Sequence, residues 1–387
     1  MRIESILLRN YRVFRKAELK DLPSMATVVG ANGSGKSTLF DALSFLKDAL
    51  NQNVAHALAR RGGLRELVSR GESGPISIIL HFRGNREFPE AYRLDVAQEK
   101  DRPVVRRELL AVYERSSGEG PSSHLVDVSR GKGKAIAKDA FTETERPIEL
   151  EDPSALAIKG LGQFKEYEAA AELSELLENW HVSDFHIHDA QPSAEAGYAE
   201  HLSARGDNVA QVAQFLYEHH PDRFRHVLDV MRARVPGITS VEARPTVDGR
   251  LVLRFQDGSF KDPFIARYVS DGTIKMFAYL ILLHDPKPHP LLAVEEPENQ
   301  LYPALLRELA EEFRDYGRRG GQVFVSTHSP EFLNGVKLDE IYWFVKKDGF
   351  ATVRRASDSK LLRDLYEEGD PPGALWKQRL FEGVDPE

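Results

Sequence analysis

The chain has 387 residues, 41% hydrophobic and 29% charged, with a net charge of −8 and no cysteine. That length leaves room for roughly two or three domains, and the acidic balance argues against a protein that coats nucleic acid, leaving at most a local basic groove. Without cysteine there are no disulfides, thiolate zinc sites or cysteine nucleophiles. No apolar run approaches a membrane span, and Met1-Arg-Ile-Glu-Ser5 opens no signal-peptide core, so a cytoplasmic chain with no membrane partner is expected.

In chain order, Ile3–Arg9 and Arg12–Lys20 read as strands joined around Asn10-Tyr11, followed by a short buried strand at Ala26–Val29. Next comes Gly30-Ala31-Asn32-Gly33-Ser34-Gly35-Lys36-Ser37-Thr38, which meets the pattern G-x-x-x-x-G-K-[ST]. From Thr38 to Leu46 the apolar residues recur at helical spacing. Strand, glycine-rich loop and helix together form a cradle in which backbone N–H groups wrap a polyphosphate. Lys36 is expected to reach the β and γ phosphates, and the Ser37 hydroxyl to bind Mg²⁺.

A Gly- and Arg-rich link at Arg60–Leu64 leads into a strand-rich stretch from Ile76 to about Ile136, read as an antiparallel sheet. Arg130–Lys134 reads as a basic, solvated loop at a hairpin tip. Helices are expected at Phe164–Trp180, from Val209, and from Pro221, none with heptads long enough for a coiled coil. Alternation from Val241 to Phe260, broken at Asp248-Gly249 and Asp257-Gly258, predicts a β-meander. A helix after Ser270, a strand at Leu291–Val294, a helix at Ala304–Tyr316 and a strand at Gln322–Ser326 close the series.

Glu295 and Glu296 end an apolar strand beside Pro297. Unpaired carboxylates are expensive in an apolar setting, and Mg²⁺ with a polarised water gives them a reason to be there. Glu295 would hold the metal and Glu296 would orient or deprotonate the attacking water. The competing reading is an acidic helix start. Val269-Ser270-Asp271-Gly272-Thr273 opens a helix upstream, and His328 ends a strand downstream in Ser326-Thr-His-Ser-Pro330.

This layout resembles ATP-binding-cassette ATPases, specifically the heads of SMC and RecF proteins. It is most similar to stand-alone AAA-family ATPases that carry Ser-Asp-Gly-Thr, Glu-Glu-Pro-Glu-Asn and Thr-His-Ser-Pro motifs, the kind found as the ATPase half of split OLD-type defence systems. The resemblance covers residues 1–50 and 265–345 well and the middle more weakly, where Gly206-Asp-Asn208 also fits. It implies an α/β P-loop head of two lobes, with a mixed β and helical insertion and no coiled-coil arm. It also implies a head-to-tail homodimer or higher homo-oligomer sandwiching ATP, with Ser270 and Gly272 capping the partner's nucleotide. His328 would be the switch histidine at the γ-phosphate, and Asn299 would lie in the loop that couples the sites.

Where the family carries a metal-site Asp, this chain has Glu295, one methylene longer. The family's glutamine after the first lobe has no good counterpart, Gln163 fitting poorly. Arg12 reads equally as a basic residue near the nucleotide or as a structural ion pair.

His181, His186, His188 and Asp189 cluster in sequence, but the downstream acid–histidine pair of a metallohydrolase is missing, so no metal is expected there. A G protein is excluded by the lack of Asn-Lys-x-Asp, and a zinc-hook arm by the lack of cysteine. The division expected is 1–150 (phosphate-loop lobe and antiparallel sheet), 151–260 (insertion), 261–350 (second lobe) and 351–387 (tail). By the resemblance, the function expected is a dimeric, Mg²⁺-dependent ATPase that gates a separate nuclease or toxin subunit in anti-phage defence. A RecF-like, DNA-binding repair ATPase and an ATP-bound clamp with little hydrolysis are the alternatives.

Overall fold

In the computed structural model, which describes residues 1–113, 123–138, 142–183, 185, 194, 195 and 197–383, alternating apolar residues place Arg2–Tyr11 in the midst of an antiparallel sheet. Phe14–Leu19 flanks it on one side and Ile76–Arg83 on the other. The sheet continues through Glu90–Glu99, Arg102–Val112, Ser123–Ser129, Lys132–Lys138 and Glu143–Glu149. The first turn lies at Arg12-Val13, just after the expected joint, with Asn10 (φ 57°) and Arg12 (φ 49°) in the left-handed region. Asn10 tolerates this because its side chain accepts from Ser69 N–H and donates to the Gly74 carbonyl.

This sheet belongs to a first unit, Met1–Trp180 with Leu338–Asp370 and Leu375–Glu387. The same unit holds the strands Met25–Gly30, Ile341–Lys347 and Phe350–Arg355, the first two parallel. The helix Lys36–Asn51 buries Leu39, Phe40, Leu43, Phe45, Leu46 and Leu50, each worth roughly 1.5–3 kcal/mol against exposure. Its polar edge is fixed by ion pairs: Asp41 accepts from Tyr11, Arg61 and Arg12, and Asp48 from Arg61. Of the two readings of Arg12, the structure shows the ion pair.

Two expectations shift. Lys132 and Lys134 lie in a strand, paired across it with Glu149 and Glu145, so the basic tip is only Arg130-Gly131. The helix expected from Phe164 begins at Glu168, because the Glu166 carbonyl accepts from Lys138 N–H instead of starting a helical ladder.

A second unit comprises His181–Lys337 with Pro371–Ala374, and the boundary at Trp180 falls inside the segment expected as an insertion. Its parallel strands are His181–Ser183, Leu291–Glu295 and Gln322–Ser326. The expected meander is present as Ile238–Pro245, Arg250–Asp257 and Phe264–Ile265. The helix Asp271–Leu283 is buried from Ile274 to its end, as befits a helix apolar on all sides. Among the described residues the longest helix has 16 residues, so no coiled-coil arm is present, and no helix is long and apolar enough to cross a membrane. His186, His188 and Asp189 lie outside the described residues.

One buried carboxylate makes the first unit pH-sensitive. Glu108 accepts the N–H groups of Ala157 (2.5 Å) and Ile158 (3.3 Å) and the Tyr92 hydroxyl (3.0 Å). Burial pushes its pKa up to about 7, from 4.5. The folded state therefore holds the proton more tightly than the unfolded chain. The stability Glu108 contributes is intact below about pH 4.5 and is lost as pH rises through about 7, by at most about 3 kcal/mol. Glu108→Gln is expected to flatten this slope in urea titrations across that window, and parallel curves for the two proteins would refute it.

Candidate active site

The phosphate loop lies in the first unit and is built from backbone geometry. Met25–Gly30 is buried throughout and delivers the chain into the loop. A Cβ on Gly30 would stand 2.5 Å from Ser34 Oγ and 2.8 Å from the Phe344 carbonyl, so only glycine fits. Gly33 (φ 74°) and Gly35 (φ 110°) take left-handed turns, and a Cβ on Gly35 would also strike Phe14 and Val13 at 2.9 Å.

Gly35 begins the helix Lys36–Asn51 without a side-chain cap, and no acidic residue lies in the first turn. That leaves a helix N-terminus suited to an anion. Lys36, only 6% exposed, directs its amine at the loop, donating to the carbonyls of Gly30 (2.8 Å) and Ala31 (3.1 Å). Ser37 and Asn32 are exposed, whereas Ser34 and Thr38 are buried.

The carboxylates Glu295 and Glu296 lie in the second unit. Glu295 closes its strand opposite Ser326. Glu296 follows in the left-handed region (φ 44°), a conformation costing about 1–3 kcal/mol that persists only where surroundings enforce it. Here the enforcement is visible. Ser326 accepts the Glu296 N–H through its carbonyl (3.0 Å) and its hydroxyl (3.2 Å), and Pro297 bars the right-handed helical alternative. The carboxylate is thereby turned so that Oε2 accepts from Asn299 Nδ2 (3.1 Å) and Oε1 lies 3.3 Å from His328 Nε2. The structure thus brings Glu296, Asn299 and His328 together.

Ser270 caps the helix Asp271–Leu283, accepting from Thr273 N–H and pairing with its hydroxyl at 2.8 Å. It is exposed at the helix N-terminus, with Asp271 in the first turn. Gly272 is required by a close approach: a Cβ would sit 2.6 Å from the Gln300 carbonyl. Exposed apolar residues precede this helix in the chain, namely Phe260, Phe264, Ile265 and Tyr268, the last 73% exposed. In the first unit, Gln163 is exposed beyond the helix Ala157–Leu161.

Two residues escaped the sequence reading. Glu298 accepts the Thr327 hydroxyl (2.8 Å) and the His328 N–H (2.6 Å), which fixes the backbone that presents the histidine. Lys275, 5% exposed, donates to the Asn299 carbonyl at 2.7 Å and ties the Ser270 helix to the Glu296 loop. Burial pushes its amine down to about 8, with Glu298 and Glu296 opposing the shift. The signal for both was available: a lysine inside an apolar helix, and a third carboxylate within Glu-Glu-Pro-Glu.

The Ser37 hydroxyl in the first unit and the Glu295 carboxylate in the second are each oxygen ligands, the kind that Mg²⁺ prefers.

A family model described as "AAA domain, putative AbiEii toxin, Type IV TA system" matches residues 25–334. Among solved structures, the chain is similar to an SMC head bound to the C-winged helix domain of ScpA, with a TM-score of 0.58 and 16% identity over 92% of this chain and 97% of that one. It is also similar to the SMC head with an extended coiled coil bound to the C-terminal domain of ScpA derived from Pyrococcus furiosus. There the TM-score is 0.54 and the identity 16%, covering 95% of this chain and 100% of that one. The fold is therefore that of an SMC head, an ABC-type ATPase fold.

Proposed function

The chain belongs to this family of AAA domains, and on that premise we propose that it is a Mg²⁺-dependent ATPase whose ATP-driven dimer gates a separate effector subunit. The observation that carries the reading is the constellation at Glu296, a strained carboxylate held between Asn299 and His328. Strain of this kind is kept where a side chain must be aimed. Glu296 positions and deprotonates the attacking water, and His328 contacts the γ-phosphate. The loop amides from Gly30 to Thr38 cradle the phosphates, and Lys36 stabilises the charge that develops on them. Mg²⁺, held by Ser37 and Glu295, would neutralise phosphate charge when bound.

Ser270 and Gly272 of one copy are proposed to cap the nucleotide held by the other. An exposed serine hydroxyl at a helix N-terminus is suited to a γ-phosphate arriving from outside. The apolar residues from Phe260 to Tyr268 give that face a reason to be covered. The effector is proposed to be a nuclease or toxin acting in anti-phage defence, a reading that rests on the motif resemblance; the partner domain bound by the similar heads supports a partner of some kind, and the family's description names a putative toxin and a toxin–antitoxin system.

The test is native mass with and without Mg-ATP, for wild type and Ser270→Arg. Wild type is expected to double its mass with ATP. The variant is expected to bind ATP, remain a monomer and lose at least about tenfold in turnover, since a cationic side chain blocks the cap. A variant that dimerises and turns over normally overturns the capping model. Tight, salt-steep, ATP-dependent duplex binding by the wild type would instead favour a DNA-clamping role.

A further inference from the structure

Far apart in sequence, His201, Asp285 and His289 converge in the second unit, with one ligand-type atom from each within 4.8 Å of the others. His201 Nδ1 lies 2.7 Å from Asp285 Oδ2. Asp285 is buried and its other oxygen accepts Lys287 N–H at 2.8 Å, so the carboxylate is locked with one oxygen toward the histidines. The His289 ring lies between those of His201 and His181, with centroids 5.5 Å and 4.8 Å away.

We propose that His201, Asp285 and His289 bind a divalent transition-metal ion of the Zn²⁺ class. Two imidazoles and one carboxylate form a ligand set of zinc sites that keep an open position, and they suit Zn²⁺ far better than Mg²⁺. Tetrahedral ligation with bonds of about 2 Å needs ligand atoms about 3.3 Å apart. From the present spacing the His201–Asp285 pair opens slightly from 2.7 Å while the wider approaches, none beyond 4.8 Å, close, and the His201 side chain, 40% exposed, makes the change by rotation.

The supports are built for position. Asn208 donates to the His201 carbonyl (3.0 Å) and accepts Ser203 N–H (2.9 Å), clamping the loop that carries His201. The Tyr316 hydroxyl donates to the His289 carbonyl at 3.1 Å. Asp285 follows the Ser270 helix and His289 precedes the strand that ends in Glu295. The ion would therefore staple the connection between two elements of the candidate active site. The inference stands on this cluster and does not depend on the ATPase reading.

The experiment uses the full chain, stripped of metal and free of nucleotide. Zn²⁺ is titrated by calorimetry, and Co²⁺ is added to read the visible absorption of a nitrogen-ligated site. Wild type is expected to take one equivalent with a tetrahedral Co²⁺ spectrum. His201→Gln and Asp285→Asn are expected to weaken binding at least about 100-fold. Melting of the metal-free variants checks that they fold, and His201→Gln, on a half-exposed loop, carries the test if Asp285→Asn does not. No binding by wild type would leave the cluster as a hydrogen-bonded His201–Asp285 pair and overturn the proposal. Unchanged binding and spectrum in a folded His201→Gln would also overturn it.

Discussion

Glu296→Gln is expected to slow ATP turnover by about 10²- to 10⁴-fold while leaving ATP binding and stability intact, so that an ATP-bound dimer accumulates. The magnitude is that of removing a positioned general base. Stability should hold because Gln keeps the shape and an oxygen able to accept from Asn299 Nδ2, as Glu296 does at 3.1 Å. The backbone supports also remain, since Ser326 accepts the residue's N–H whatever its side chain. Turnover by phosphate release and native mass with Mg-ATP read the two halves of the prediction separately. Slow turnover with a dimer assigns the water-directing role to Glu296 and the cap to a second copy. A variant as monomeric as the nucleotide-free wild type would refute capping between copies. Wild-type turnover in the variant would place the base elsewhere and leave the strain at Glu296 without a catalytic purpose.

Glu295 bears on the same measurement. Its carboxylate enters from a strand end pinned opposite Ser326, directly before Glu296. If wild type already dimerises with ATP and turns over no faster than Glu296→Gln, the protein is an ATP-held clamp. The difference between the two rates is thus the quantity that separates engine from scaffold.

What was legible in the sequence was the local part. The phosphate loop could be read because Gly30, Gly33 and Gly35 answer to backbone demands within a few residues of themselves. Ser270 was readable as a helix start for the same reason. Glu296 and His328 were found separately, but their 3.3 Å approach depends on Glu298 and Ser326, which act across the pairing of two parallel strands. Lys275 was invisible because its partner, the Asn299 carbonyl, lies on another element. The strand at Lys132–Lys138 looks like a loop in sequence because its lysines are satisfied by glutamates on the next strand. The His201 cluster was missed for the strongest form of that reason. Histidines close in sequence draw the eye to a metal, whereas the fold gathers ligands from a loop and from a connection some distance along the chain.

Lys36→Ala is expected to abolish measurable ATP turnover, a loss of at least about 10²-fold, and to weaken nucleotide binding as well. The contrast with Glu296→Gln is the point, because the two residues are assigned different work. Glu296 acts on water and should spare binding. Lys36 is a cation held 6% exposed within its own loop, donating to the carbonyls of Gly30 and Ala31, in position to meet phosphate charge in both ground and transition states. Its removal should therefore depress binding and turnover together and prevent the ATP-dependent dimer. The loop itself should survive, because its shape is set by Gly33 and Gly35 and by packing of Val13 and Phe14 against Gly35, none of which involves the amine. A fluorescent ATP analogue reads binding, and thermal melting without nucleotide checks the fold. Unchanged turnover in a folded Lys36→Ala would mean that the phosphate loop is not the site, and the roles of Ser37, Glu295 and the capping Ser270 would fall with it. Lost turnover with full binding and dimerisation would move Lys36 to the transition state alone and leave the amides of Gly30–Thr38 as the whole of the ground-state cradle.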